Sequence, residues 1–145
     1  MARLRCVCGN TLSNSRSPNE IQYYAFSANQ WKYLLTCGEI DVLTIPDPEG
    51  EIWRCPQCER LCWFSEGGDQ GQGYRKAGES PFSDHWENEE KLFRVFSDVQ
   101  WDGLLWNDNV DFAKITIQPF LLKRTETGLL LFDPETQTEW TYLKD

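Results

Sequence analysis

At 145 residues, with 40% hydrophobic and 14% aromatic residues, the chain can bury a core of ordinary size, which excludes a disordered tail. The net charge of −9 is uneven: residues 1–80 hold 8 Lys/Arg against 10 Asp/Glu (−2), and residues 81–145 hold 6 against 13 (−7). That field repels DNA and RNA, so direct nucleic-acid binding is not expected, and no run of about eighteen apolar residues is present to span a bilayer as a helix.

The N-terminus, MARLRCVCGN, shows no apolar run after its arginines, so the expectation is a cytoplasmic protein. In a reducing compartment the four of six cysteines that stand in two close pairs point to a metal rather than to disulfides. Cys6-Val7-Cys8-Gly9 is the first such pair, with Gly9 able to take the positive φ that a cysteine turn often needs. Next, Tyr23 to Phe26 reads as a strand, Ser27 as an N-cap, and Trp31, Leu34 and Leu35 as the apolar stripe of a helix. Cys37, beside Gly38, falls where that helix ends, and no His lies nearby in sequence to activate it.

Cys55-Pro56-Gln57-Cys58 forms the second pair, with 46 residues between Cys8 and Cys55. Zinc takes four tetrahedral ligands, and two turns presenting Cys at i and i+2 or i+3 complete such a shell, so Cys6, Cys8, Cys55 and Cys58 are the expected zinc ligands. Cys62 lies in the alternating run Arg60–Phe64 and reads as a small hydrophobe, with substitution for one of the four ligands as its alternative. A shell closed by four cysteines leaves no open position for water. The chain has one histidine, His85, in an acidic run, and no phosphate loop, Gly-x-Ser-x-Gly or HExxH motif, so no enzymatic activity is expected. All-cysteine ligation also suits iron, which leaves an iron electron carrier as an alternative.

The glycine-rich stretch Glu66–Gly73 reads as a loop. Beyond it an internal repeat begins: Phe96, Ser97, Gln100, Trp101, Leu104 and Leu105 stand 70 residues after Phe26, Ser27, Gln30, Trp31, Leu34 and Leu35. A second strand and capped helix are therefore expected. With eight further residues in the second connection, Cys55–Cys58 aligns with Asp133-Pro134-Glu135-Thr136, as two hairpins of which only the first binds metal. The expected fold is α+β: a zinc-ribbon-like β-α-ββ unit over 1–76, a linker over 77–88, and a metal-free copy over 89–145.

The two cysteine turns with their flanking strands resemble the zinc-ribbon superfamily, which implies structural zinc at Cys6, Cys8, Cys55 and Cys58. Many zinc ribbons bind nucleic acid or polymerases through basic residues, from which this chain departs in charge. Its size, acidity and layout also resemble small acidic bacterial immunity proteins of toxin systems. The stretch Asp84–Asp111 carries 8 acids against Lys91 and Arg94 and interleaves Trp86, Trp101 and Trp106. Acids beside aromatics suit a basic protein partner, so Asp84, Trp86, Glu87, Glu90, Asp98, Asp102, Trp106 and Asp108 are the candidate partner-binding residues. The leading reading is a non-enzymatic, acidic protein-binding module with structural zinc, most concretely an immunity-like inhibitor of a basic toxin or nuclease. The alternative is a zinc-ribbon accessory of nucleic-acid machinery.

Overall fold

A computed structural model describes residues 2–16, 19–65, 71–81, 86, 90–97, 100–102 and 112–145. Its centre is an antiparallel β-barrel of eight strands: β3 (Gln22–Phe26), β5 (Gly50–Arg54), β6 (Leu61–Ser65), β7 (Gln72–Pro81), β8 (Phe93–Ser97), β11 (Phe120–Arg124), β12 (Gly128–Asp133) and β13 (Thr138–Lys144). Around the barrel the order is β11-β12-β13-β7-β6-β5-β3-β8, and β8 pairs back with β11 to close it. Outside it stand the hairpin β1 (Arg3–Arg5) and β2 (Thr11–Ser13), the helix α1 (Ala28–Cys37), and a three-stranded sheet of β4 (Ile40–Asp41), β10 (Phe112–Ile115) and β9 (Trp101–Asp102). Closure leaves the barrel without unpaired edges.

Side chains alternate along each barrel strand with period two, and the inward set fills the interior. Ala25, Ile52, Leu61, Trp63, Tyr74, Val95, Leu122, Leu129, Leu131 and Tyr142 are buried there, with Tyr23, Phe93, Phe120 and Trp140 packed against them. The register agrees: Ala25 stands opposite Val95, Ile52 opposite Trp63, Leu122 opposite Leu131, and Leu129 opposite Tyr142. In β12 the outward residues are covered as well, since Leu130 and Phe132 pack with Trp86, Leu92 and Leu121. Burial on both faces explains why Leu129–Phe132 is an unbroken apolar run.

Outward residues of β3 and β8 meet α1 and the small sheet. Phe26, Leu34, Ile40, Phe96, Trp101 and Ala113 are buried together, with Trp31 and Cys37 packed on them. Phe96 lies 5.9 Å from Phe26, 5.5 Å from Trp31 and 5.6 Å from Trp101, ring centroid to centroid. Truncating Trp101 to Ala should therefore cost about 3–5 kcal/mol, read from urea unfolding, as for other large core aromatics. A loss under about 1 kcal/mol would mean that Trp101 contributes little to this cluster.

These strands overturn the expected fold of an α+β, zinc-ribbon-like β-α-ββ unit followed by a copy. The molecule is mostly sheet, and its barrel mixes strands from both halves: β3 pairs with β8 and β7 with β13. β7 also runs through residues 77–81, where the sequence pattern suggests the start of a linker. Trp101 and Asp102, expected on a second helix, form β9, while Leu104 and Leu105 lie outside the described residues.

What repeats is a local hydrogen bond. At the first site Ser27 and Gln30 form a capping box: the Ser27 amide donates to Gln30 Oε1 at 2.9 Å, and the Gln30 amide to Ser27 Oγ at 3.3 Å. At the second, the Ser97 amide donates to Gln100 Oε1 at 2.7 Å. The Ser amide meets the Gln side chain at both sites, but Trp31 lies in a helix and Trp101 in a strand. Strand order also corrects the hairpin alignment. In chain order the runs β3-β5-β6-β7 and β8-β11-β12-β13 match, so the β5–β6 turn that carries Cys55 corresponds to the β11–β12 turn, one hairpin before Asp133–Thr136.

Candidate metal centre

Two turns meet on the outer face of β5 and β6. The β1–β2 turn is closed by the Cys6 amide donating to Asn10 O at 2.8 Å and the Gly9 amide donating to Cys6 O at 2.9 Å. The β5–β6 turn repeats this with one residue more: the Cys55 amide donates to Arg60 O, and the Glu59 amide to Cys55 O, each at 2.9 Å. That extra residue is the difference between Cys-x-Cys and Cys-x-x-Cys. Each turn needs one left-handed residue, Gly9 at φ 95° and Glu59 at φ 61°. Glu59 tolerates the conformation while its carboxylate joins two strands, pairing with Arg54 at 3.0 Å and Lys76 at 2.9 Å.

The four sulfurs of Cys6, Cys8, Cys55 and Cys58 lie within 4.8 Å of one another. Cys6 Sγ is 3.4 Å from Cys58 Sγ, and Cys8 Sγ is 3.7 Å from Cys55 Sγ. Four thiolates about 2.3 Å from one ion would stand about 3.8 Å apart, so this donor set fits a tetrahedral metal ion. Cys62, the alternative ligand, is outside the quartet and packs with Leu4, Leu12, Ile21, Trp53 and Phe64 against it. Burial pushes the Cys62 thiol up, which suits a neutral side chain in an apolar layer.

The turns also supply donors to sulfur. Burial pushes the Cys55 thiol up, but the amides of Cys58 and Gln57 and the Asn10 side chain, 3.7 Å from Cys55 Sγ, outweigh it and hold the thiol at about 6. Burial and the neighbouring Cys6, Cys55 and Cys8 thiols push Cys58 up to about 12, and burial likewise raises Cys6. With no cation beside them, four converging thiols cannot all ionise, because each thiolate raises the next; a divalent ion removes that conflict.

A family model, Domain of unknown function (DUF8617), matches residues 2–84, more than half of the chain and including all four thiols. The chain belongs to this family. The DUF8617 match covers β1–β7 and α1 and ends before β8. No curated protein and no solved structure matches the chain.

The expected partner-binding residues fare differently. Trp86 is 3% exposed: it stacks on Phe132 at 5.5 Å and donates its indole N–H to buried Glu139 at 2.8 Å. It fills a core site and offers no free face, because acids adjacent in sequence say nothing of the apolar layer beneath. Glu90 is exposed, and Asp102 sits in β9 opposite Lys114. Asp84, Glu87, Asp98, Trp106 and Asp108 lie outside the described residues. Among the described residues no helix is long and apolar enough to cross a membrane.

Sequence reasoning missed the exposed apolar residues around α1. Leu43, in the 3-10 turn Val42–Thr44, is 90% exposed, and Tyr33 on α1 is 47% exposed. The Cys37 thiol raises the Tyr33 phenol above its ordinary value. Glu39 and Asp47 are exposed on either side in the chain. An alternating chain pattern cannot show an apolar side chain left uncovered at a turn.

Proposed function

We propose that this chain is a non-enzymatic, acidic protein-binding module, its N-terminal hairpin stapled to the barrel by structural zinc, acting as an immunity-like inhibitor of a basic toxin or nuclease. The quartet of thiols carries the zinc part of the reading: four sulfur ligands fill a tetrahedral shell and leave no position for substrate or activated water. Zinc supplies crosslinking there, and the chain's own amides orient the sulfurs.

The partner part rests on charge and exposure. Leu43 and Tyr33 are exposed apolar side chains, Glu39 and Asp47 are exposed acids four residues either side of Leu43 in the chain, and the occupant that suits such residues in a chain of net charge −9 is a basic protein surface. With a basic partner in hand, Leu43→Ala should weaken binding by at least about 2 kcal/mol, the threshold of a hot spot, and leave the melting temperature unchanged. Reversing Glu39 and Asp47 to Lys should slow association and flatten its salt dependence, since exposed charges steer encounter. A partner that is acidic, or binding indifferent to all three residues, would refute this surface.

A further inference from the structure

At one mouth of the barrel lies an open hollow of about 320 Å³. Arg124, at the end of β11, lays its guanidinium 4.2 Å above the Trp63 ring and 5.8 Å from that of Phe93. Stacking fixes the guanidinium plane and leaves its N–H edge free to donate. Lys144, at the end of β13, lines the same hollow and is exposed. Neither cation has an ion-pair partner among the described residues, although the chain carries 23 acids against 14 basic residues.

Two hydroxyls complete the wall, and both are left as donors. Ser65 Oγ already accepts from the Trp63 indole at 3.3 Å, and Thr125 Oγ1 already accepts from the Gly128 amide at 3.0 Å. Each therefore retains an O–H to give. One lining carboxylate, Glu126, stands against the two cations. A site rich in donors, with a stacked arginine fork and a lysine, is complementary to a compact oxyanion of more than one charge.

From this arrangement we propose that the barrel mouth binds the phosphate group of a small phosphorylated molecule, held by Arg124 and Lys144 with Ser65 and Thr125 donating. A phosphate dianion matches the two cations and offers oxygens enough for all four donors, whereas a carboxylate has one charge and two oxygens. The negative field of the whole chain disfavours a nucleic-acid strand but admits a single phosphate group.

The test is titration of the full-length, metal-loaded protein with inorganic phosphate at constant ionic strength, monitored by amide NMR shifts. Saturable shifts at Ser65, Thr125 and Lys144 are expected, with acetate about tenfold weaker or more. Arg124→Gln should weaken phosphate about tenfold, and Lys144→Gln, which leaves the Arg124–Trp63 stack in place, should weaken it several-fold. Lys114→Gln makes the same charge change at an exposed residue of β10 and should have no effect. Shifts that grow without saturating, acetate binding as well as phosphate, or equal weakening by Lys114→Gln would each overturn the proposal.

Discussion

Removing the metal should free the N-terminal hairpin while the barrel stays folded. Among the described residues β1 and β2 pair only with each other and make no ladder with the barrel, so the hairpin is tied down by the thiol quartet and by the apolar contacts of Leu4 and Leu12 with Trp53. Structural zinc contributes of order 10 kcal/mol in domains that fold only with it. Here the barrel has its own core, so the loss should be concentrated in residues 2–16, seen as fast amide exchange after chelation. Elemental analysis should give one zinc per chain in a colourless protein; a red protein containing iron would favour the electron-carrier alternative. Cys55→Ser should abolish binding, because Cys55 is fully buried at the centre of the site. Cys37→Ser and Cys62→Ser should retain it, and metal loss in those variants equal to that in Cys55→Ser would refute the ligand set. Acidification should release the ion, since protons compete for the thiolates.

The metal centre is legible in the sequence because its information is local. Each pair of cysteines closes its own turn, and Gly9 marks the first. The capping box at Ser27 and Gln30 is legible for the same reason. Barrel closure is not, because it depends on pairings such as Tyr24 with Phe96 and Tyr142 with Lys76, between strands far apart in the chain that carry no complementary signature. Identical short motifs then mislead: Phe-Ser-x-x-Gln-Trp reads as a strand running into a capped helix, and what the two copies share is the hydrogen bond from the Ser amide to the Gln side chain. After Ser97 and Gln100 the tertiary pairing of Trp101 with Ile115 decides the backbone, so β9 forms in place of the helix. Trp86 shows the converse failure, since its acidic neighbours advertise a surface while its ring is needed under Phe132.

Closure should also set where the barrel tolerates least change, and Gly128 is the place. It begins β12 opposite Leu143, and a Cβ built there would run into the backbone oxygen of Tyr142. The obstacle is backbone of the neighbouring strand, which a rotamer change cannot move aside, so the β12–β13 pairing must shift. Tyr142 is 1% exposed and packs at the centre of the interior, so a displaced β13 disturbs the core and the β7–β13 pairing together. Gly128→Ala should therefore cost at least about 3 kcal/mol, the upper end of ordinary overpacking. Gly78→Ala provides the control: it lies in β7 opposite Thr141, and a Cβ there meets nothing within 4 Å, so the change should be within about 0.5 kcal/mol of neutral. Chemical denaturation of the two variants side by side decides the matter. Equal costs would mean that strand propensity, which both substitutions alter alike, governs these positions, and that the close approach at Gly128 is not a determinant of barrel closure.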